Sequence, residues 1–262
     1  MSEKQVESQT EMQSNVQSEE KNRNNSIFSV GYWRMAAKTF ASAKMLAFAA
    51  VICALRIAIK ALKISIEIPG MPMAFTFDCY VNSLGSLVYG PLMGLLVGAV
   101  SDTLGAVLFP SGPYFFPFIF VEMSSSFIFG LFFWKRKITT GSAIFAKFTV
   151  NFICNIILTS IMIKWSYIFF GTDKAFPLIN GVRIVKNLIL FPLEGILICL
   201  IFSLFIPALK RLGIIGQDQK ALTLCKKDVI LTVALTLAAI GLILFYVFFF
   251  KDFMSEHNFK FF

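Results

Sequence analysis

The chain has a single histidine, His257, close to its end, so His-based metal or nucleophilic chemistry has nothing to work with. Its five cysteines, Cys53, Cys79, Cys154, Cys199 and Cys225, show no CxxC spacing and lie mostly in apolar runs. Neither a disulfide framework nor a metal site is expected. No GxxxxGK[ST] phosphate loop occurs anywhere, so any ATP-driven step belongs to another polypeptide. Charge is scarce as well, at 15% of residues against about 25% in an ordinary globular domain. The net charge of +9 does not point to nucleic acid, because the basic residues sit in short tracts at the ends of apolar runs, as orientation signals do. No apolar h-region follows Met1, no fixed-period repeat is present, and neither a cleaved signal peptide nor a second soluble domain is expected.

What the chain has is apolar surface. Hydrophobic residues make up 57% of it and the mean hydropathy is +0.75, so lipid is the solvent of this fold. Residues 1–26 are Gln, Ser, Asn, Glu and Lys with almost no large apolar side chain, a composition expected to stay disordered. Residues 27–43 carry Trp33 and Arg34 in a mixed stretch suited to the membrane surface. Seven apolar stretches follow, at 44–64, 78–90, 91–109, 117–134, 143–165, 182–208 and 228–250. Each is long enough, or nearly so, to cross a hydrocarbon layer that needs about 20 helical residues. The second is short and meets the third at Gly90-Pro91, which reads as a tight turn with the proline opening the next helix. The fold class is therefore an all-α membrane protein: six helices over 44–212, a basic loop at 213–227, a seventh transmembrane helix at 228–250 and a tail at 251–262.

Basic tracts set the orientation. Arg34, Lys38 and Lys44 precede the first helix, Lys135, Arg136 and Lys137 follow the fourth, and Lys210, Arg211, Lys220, Lys226 and Lys227 lie between the sixth and seventh. A cytoplasmic N-terminus puts all of them inside. Trp134 and Trp165 fall at opposite ends of their helices, where interfacial aromatics belong.

Ionisable groups within membrane helices are costly and face a cavity or a partner. Asp78, Asp102, Glu122, Arg183 and Lys186 all fall in the outer halves of their helices, so they can converge on one outward-facing pocket. Pairing of Asp102 with a neighbouring Arg or Lys, solely to hold helices together, is the other account. Arg56 and Lys60 share a face of the first helix at i, i+4, positioned either to line the pocket or to snorkel. Asn151 and Asn155 have the same spacing and suit interhelical hydrogen bonds. Glu194 has no evident role. Ala50, Ala54 and Ala58 form a ridge of small residues on the first helix, and Gly94, Gly98, Ser101 and Gly105 form one on the third, which suits internal packing.

The Gly90-Pro91 turn, the Gly94/Gly98 ridge, Asp102, Gly105 and above all Leu108-Phe109-Pro110-Ser111-Gly112-Pro113-Tyr114-Phe115 resemble the substrate-binding (S) subunits of energy-coupling factor (ECF) vitamin transporters. Arg183-Ile184-Val185-Lys186-Asn187, ending at Pro192-Leu193-Glu194, is similar to the folate-type branch. The resemblance covers residues 45–212. It implies a non-enzymatic six-helix subunit of the cell membrane that needs no cofactor, captures a vitamin outside, and docks on a transmembrane coupling subunit bearing two cytoplasmic ATPases. Ala50, Ala54 and Ala58 are then the docking face. A pterin's adjacent N–H donors suit Asp78, Asp102 or Glu122, its flat face suits Phe75, Tyr114 or Phe115, and a glutamate tail suits Arg183 or Lys186, with Arg56 also in the pocket. The chain departs from the family pattern at Asp78, Phe118 and Glu122. The competing readings are a stand-alone secondary transporter, which lacks a detectable inverted repeat, and an intramembrane enzyme using Asp102 and Glu122, which lacks a metal or nucleophile cluster.

Overall fold

Ser29 caps the first helix by accepting a hydrogen bond from the Gly31 amide, and α1 runs Val30–Lys38. A 3-10 turn at Thr39–Ala41 leads to Ser42, whose side chain caps α2, Ala43–Ala61. The two helical stretches meet at 79°, as expected of a surface helix feeding a spanning one. The computed structural model describes residues 27–62, 65–67, 74–110, 114–171 and 181–216, with 230, 234, 237 and 241 beyond them. The expected N-terminal tail, residues 217–227 of the 213–227 loop and the body of the seventh helix lie outside the described residues.

After α2, strands β1 (Ser65–Glu67) and β2 (Ala74–Thr76) pair antiparallel with Ile66 opposite Phe75, a short ribbon not anticipated for an all-α chain. Helix α3 then spans Asp78–Leu108 but is broken at Gly90, whose φ of 84° and ψ of −178° are not helical. The break is the expected hairpin turn. Helix α4, Ile119–Phe133, meets both limbs at matching levels. Gly130 lies against Gly90 and Pro91. One turn away, Ser126 bonds Asn82 and packs on Gly94. A further turn on, Glu122 lies beside Gly98 and shares Arg56 with Asp78. As α4 descends, its neighbours climb one limb and descend the other, so the limbs are antiparallel.

Close approach makes two glycines obligatory here. A Cβ on Gly130 would lie 2.5 Å from the Pro91 Cα, and one on Gly90 would lie 2.8 Å from the Trp134 ring, inside any van der Waals contact. Gly94 and Gly98 likewise let backbone meet backbone against α4, so the small-residue stripe packs internally as its composition suggests.

Helix α5, Thr140–Val150, starts from a Thr139/Ser142 capping box. It continues through a π-helical stretch, Asn151–Leu158, into α6, Thr159–Phe169. Helix α7 runs Gly181–Arg211. Among the described residues the bundle thus contains six rods: α2, the two limbs of α3, α4, the continuous α5–α6 and α7. Among the described residues, Asp78–Leu108, Phe116–Phe133 and Thr140–Phe169 are long and apolar enough to cross a membrane, and the bent Val30–Ala61 pair is a further candidate. The main core joins the first limb of α3 to α4, α5 and α7, with Phe133 set edge-on to Phe202 at 4.8 Å.

One expectation changes. Trp134 is only 4% exposed, because α1 folds over it and Tyr32 meets it edge-on at 5.0 Å. It anchors α1 to the bundle and does not sit in the lipid interface. Trp165, 48% exposed, fits the interfacial role.

Candidate functional site

Two polar clusters occupy one end of the bundle, on either side of the first limb of α3. The first is built on α2, whose buried stripe of Ala49, Ile52, Cys53, Arg56 and Ile59 faces α3. That spacing carries Arg56 inward with its apolar neighbours, to complete burial. Its guanidinium donates from Nε to Asp78 Oδ1 at 2.9 Å and from Nη2 to Asp78 Oδ2 at 2.7 Å. Nη2 also reaches Glu122 Oε2, and Nη1 reaches Asn82 Oδ1 at 3.5 Å. Asn82 is held in turn by Ser125 and Ser126 of α4. A bidentate fork of this kind fixes both orientation and distance between helices.

One turn along α2, Lys60 donates to Asp102 Oδ1 at 3.1 Å. The other Asp102 oxygen accepts from the Tyr114 hydroxyl at 3.4 Å, tying the loop after α3 to the second limb. Neither Arg56 nor Lys60 snorkels. The pairing account of Asp102 and the pocket account converge physically: Asp102 is paired, yet its side chain keeps 16% exposure, and that of Glu122 keeps 28%. Asp78 commits both oxygens to Arg56, so Glu122 and Asp102 are the more open acceptors. In this cluster three carboxylates face two cations, leaving acceptor capacity over.

Above the ionic floor, Phe115 is buried in an aromatic group with Phe118, Trp165, Phe169 and Phe170, at centroid distances of 5.5 to 6.1 Å. Tyr114, beside it, is 38% exposed, and burial holds its phenol above the usual tyrosine range despite a bond to Thr103. The structure therefore brings together Arg56, Asp78, Asp102, Glu122, Tyr114 and Phe115. Phe75 is placed in β2 and Arg183 and Lys186 in the first turns of α7, but their side chains lie outside the described ones. Ala50, Ala54 and Ala58 lie exposed along α2, with no helix packed over them among the described residues.

In the second cluster the sequence pointed to Asn151 and Asn155 and left Glu194 without a role, but did not single out Lys147. Lys147 of α5 is buried, 3.3 Å from Glu194 Oε2 and 3.1 Å from Cys79 Sγ. Asn151 donates to Glu194 at 2.7 Å, and Asn155 donates to Asn151 at 3.0 Å and Asn187 at 3.3 Å. These bonds confirm the interhelical reading of Asn151 and Asn155 and give Glu194 its role, the counter-ion of Lys147. The signal was available, since Lys147 is a cation inside an apolar run. Among the described residues no group of His, Cys, Asp and Glu could hold a metal ion.

Residues 40–211 match the profile of a family described as "ECF-type riboflavin transporter, S component". The chain is 31% identical over 135 residues to "Folate transporter FolT" of Clostridium novyi (strain NT), covering 52% of this chain and 74% of that one. It is 30% identical over 146 residues to the protein of the same name from Leuconostoc mesenteroides subsp. mesenteroides, covering 55% and 77%. Among solved structures, "Crystal structure of FolT bound with folic acid" superposes with a TM-score of 0.50 at 27% identity, over 59% of this chain and 89% of that one.

Proposed function

The chain belongs to the S components of ECF-type transporters, and we propose that it captures folate, or a closely related pterin, for an ATP-driven import module. It is a membrane transport subunit and not an enzyme, and the family implies an ECF module as partner and a small vitamin as cargo. The observation that carries the choice of ligand is the ionic floor beneath the Tyr114–Phe115 segment. Adjacent N–H donors of a pterin suit the partly exposed carboxylates of Glu122 and Asp102. Its flat ring suits Tyr114 and Phe75. Arg183 and Lys186 belong to the first turns of α7, and their charge suits the carboxylates of a glutamate tail. The relatives named for folate, matched over three-quarters of their length, favour this ligand over the riboflavin of the family's description.

The exposed Ala50, Ala54 and Ala58 are the proposed docking face, since a ridge of small residues lets another helix approach closely. The partner is a transmembrane coupling subunit carrying two cytoplasmic ATPases. The basic tracts orient the N-terminus and the Gly90 turn to the cytoplasm and the ionic cluster outward, in the cell membrane. Trp165 touches the Phe115 group, while Trp33 and Trp134 lie near the opposite end, so ligand entry is read from its fluorescence. Titration of the purified protein with folate should quench tryptophan emission saturably. A response to riboflavin and none to folate would overturn the ligand assignment.

A further inference from the structure

At the basic end, remote from the ionic cluster, an open cavity of about 320 Å³ is lined by α1, the start of α2, the first limb of α3 and the residues after α4 and α7. That volume is within the range of roughly 300–1,000 Å³ typical of small-molecule sites. Its rim is polar, with Lys38, Thr39, Ser42 and Lys135, and its wall is apolar, with Met35, Met45, Leu87, Val88, Trp134 and Ile215 among others. We propose that this cavity binds an anionic phospholipid, the phosphate of its headgroup between Lys38 and Lys135 and the first methylenes of an acyl chain against the apolar wall.

Three observations support the assignment independently. The first is charge. Among the described residues this end carries Arg34, Lys38, Lys44, Lys135, Arg136, Lys137, Lys210 and Arg211, while Asp78, Asp102, Glu122 and Glu194 all lie in the clusters toward the other end. No carboxylate among the described residues meets Lys38 or Lys135. The second is the conformation of Lys135. Its φ of 54° is the one positive value at a non-glycine residue among those described, at a helix-ending position where glycine is the usual occupant. The backbone there aims the ammonium over the Trp134 ring at 4.9 Å and toward the Met35 sulfur at 3.1 Å. Both neighbours are neutral, and burial holds the amine below the usual lysine range. An anion is the partner this cation lacks.

The third is position. Phe40 and Leu46, on either side of the bend that borders the cavity, are 42% and 52% exposed, and such surfaces face acyl chains in a bilayer. The cavity therefore opens at headgroup level, where basic pockets between helices take anionic lipid. A soluble anion would gain nothing from the apolar wall.

The test is native mass spectrometry of the full chain with equal phosphatidylglycerol and phosphatidylcholine. One phosphatidylglycerol should be retained preferentially. Each basic residue near the surface contributes about 1 kcal/mol, so Lys38→Gln should weaken retention about fivefold and the pair Lys38→Gln, Lys135→Gly about twenty-five-fold. Lys135→Gly also relieves the left-handed backbone, so the lipid-free melting temperature should hold or rise, separating lost binding from lost folding. Lys137→Gln, in the same basic tract but off the cavity, should leave retention unchanged. Equal retention by wild type and the paired variant would overturn the site. Displacement of the lipid by millimolar inorganic phosphate would overturn the lipid as occupant.

Discussion

Arg56→Met is the sharpest test of how the ionic floor is built. The wild-type guanidinium is fully buried and satisfies both oxygens of Asp78 and one of Glu122. Methionine fills much of the volume but abandons two carboxylates. Breaking a buried ion pair by removing one partner costs about 3–5 kcal/mol, because the remaining charge is left uncompensated. Asp78, with 12% side-chain exposure, bears most of that cost, while Glu122, at 28%, can turn toward water. At about 2–4 °C per kcal/mol for a chain of this size, the ligand-free melting temperature in detergent should fall by roughly 6–20 °C. Neutralising the acids in the same background, as Arg56→Met with Asp78→Asn and Glu122→Gln, should restore most of the loss, since replacing a whole buried network is often neutral. A single mutant that melts within about 2 °C of wild type would refute the reasoning, and so would a triple mutant less stable than the single.

Ala54→Trp should leave folate binding by the purified protein intact while abolishing uptake and co-purification with the coupling module; normal uptake would remove α2 as the docking face. Gly130→Val forces side-chain atoms into Pro91 and should destabilise by about 1–3 kcal/mol, as overpacking does, whereas Gly141→Val, with open space around it, should cost far less in the same melt. Arg183→Ala should weaken folate binding by at least about thirtyfold if a ligand carboxylate loses a desolvated partner worth some 2–5 kcal/mol, without lowering the ligand-free melting temperature. For orientation, a membrane-impermeant thiol reagent on intact cells should label Pro113→Cys and spare Ser142→Cys in a background without native cysteines; the reverse pattern would invert the protein.

Where the sequence was legible, a local rule sufficed. Gly90-Pro91 marks a reversal because a left-handed glycine followed by a helix-opening proline has few other uses. The alanine ridge and the glycine stripe are both runs of small residues, yet their opposite fates, one exposed and one packed on Ser126 and Glu122, depend on which neighbour each helix meets. Arg56 shows the limit more sharply. Its periodicity puts it on a buried face, but two acids, 22 and 66 positions away, compete for it, and the choice is made by helix rotation. Lys147 and Glu194, 47 positions apart, are an analogous pair whose meeting depends on the packing of α5 against α7. The π-helical stretch at Asn151–Leu158 carries no mark in the sequence. It shows as a bond from the Thr159 backbone N–H to the Cys154 carbonyl five residues back, and a change of helical phase there alters the direction in which Asn155 points.

The depth of the site follows from the unequal limbs of α3. Asp78 and Asp102 each stand twelve residues from Gly90, on opposite limbs, so at ~1.5 Å per residue both lie about 18 Å above the turn. This common level lets two consecutive turns of α2, at Arg56 and Lys60, engage one carboxylate from each limb. The first limb ends there, while the second continues to Leu108, roughly another 9 Å. A limb of about 18 Å falls short of a ~30 Å hydrocarbon layer. The shortfall on one limb, against the full height of the other, sets the charged residues below the level of Leu108 and of the segment that carries Tyr114 and Phe115. Lengthening the first limb with an apolar turn before Asp78 should therefore crowd the proposed ligand site without touching a charged group. The proposed site thus depends on where the first limb stops as much as on the charged residues around it.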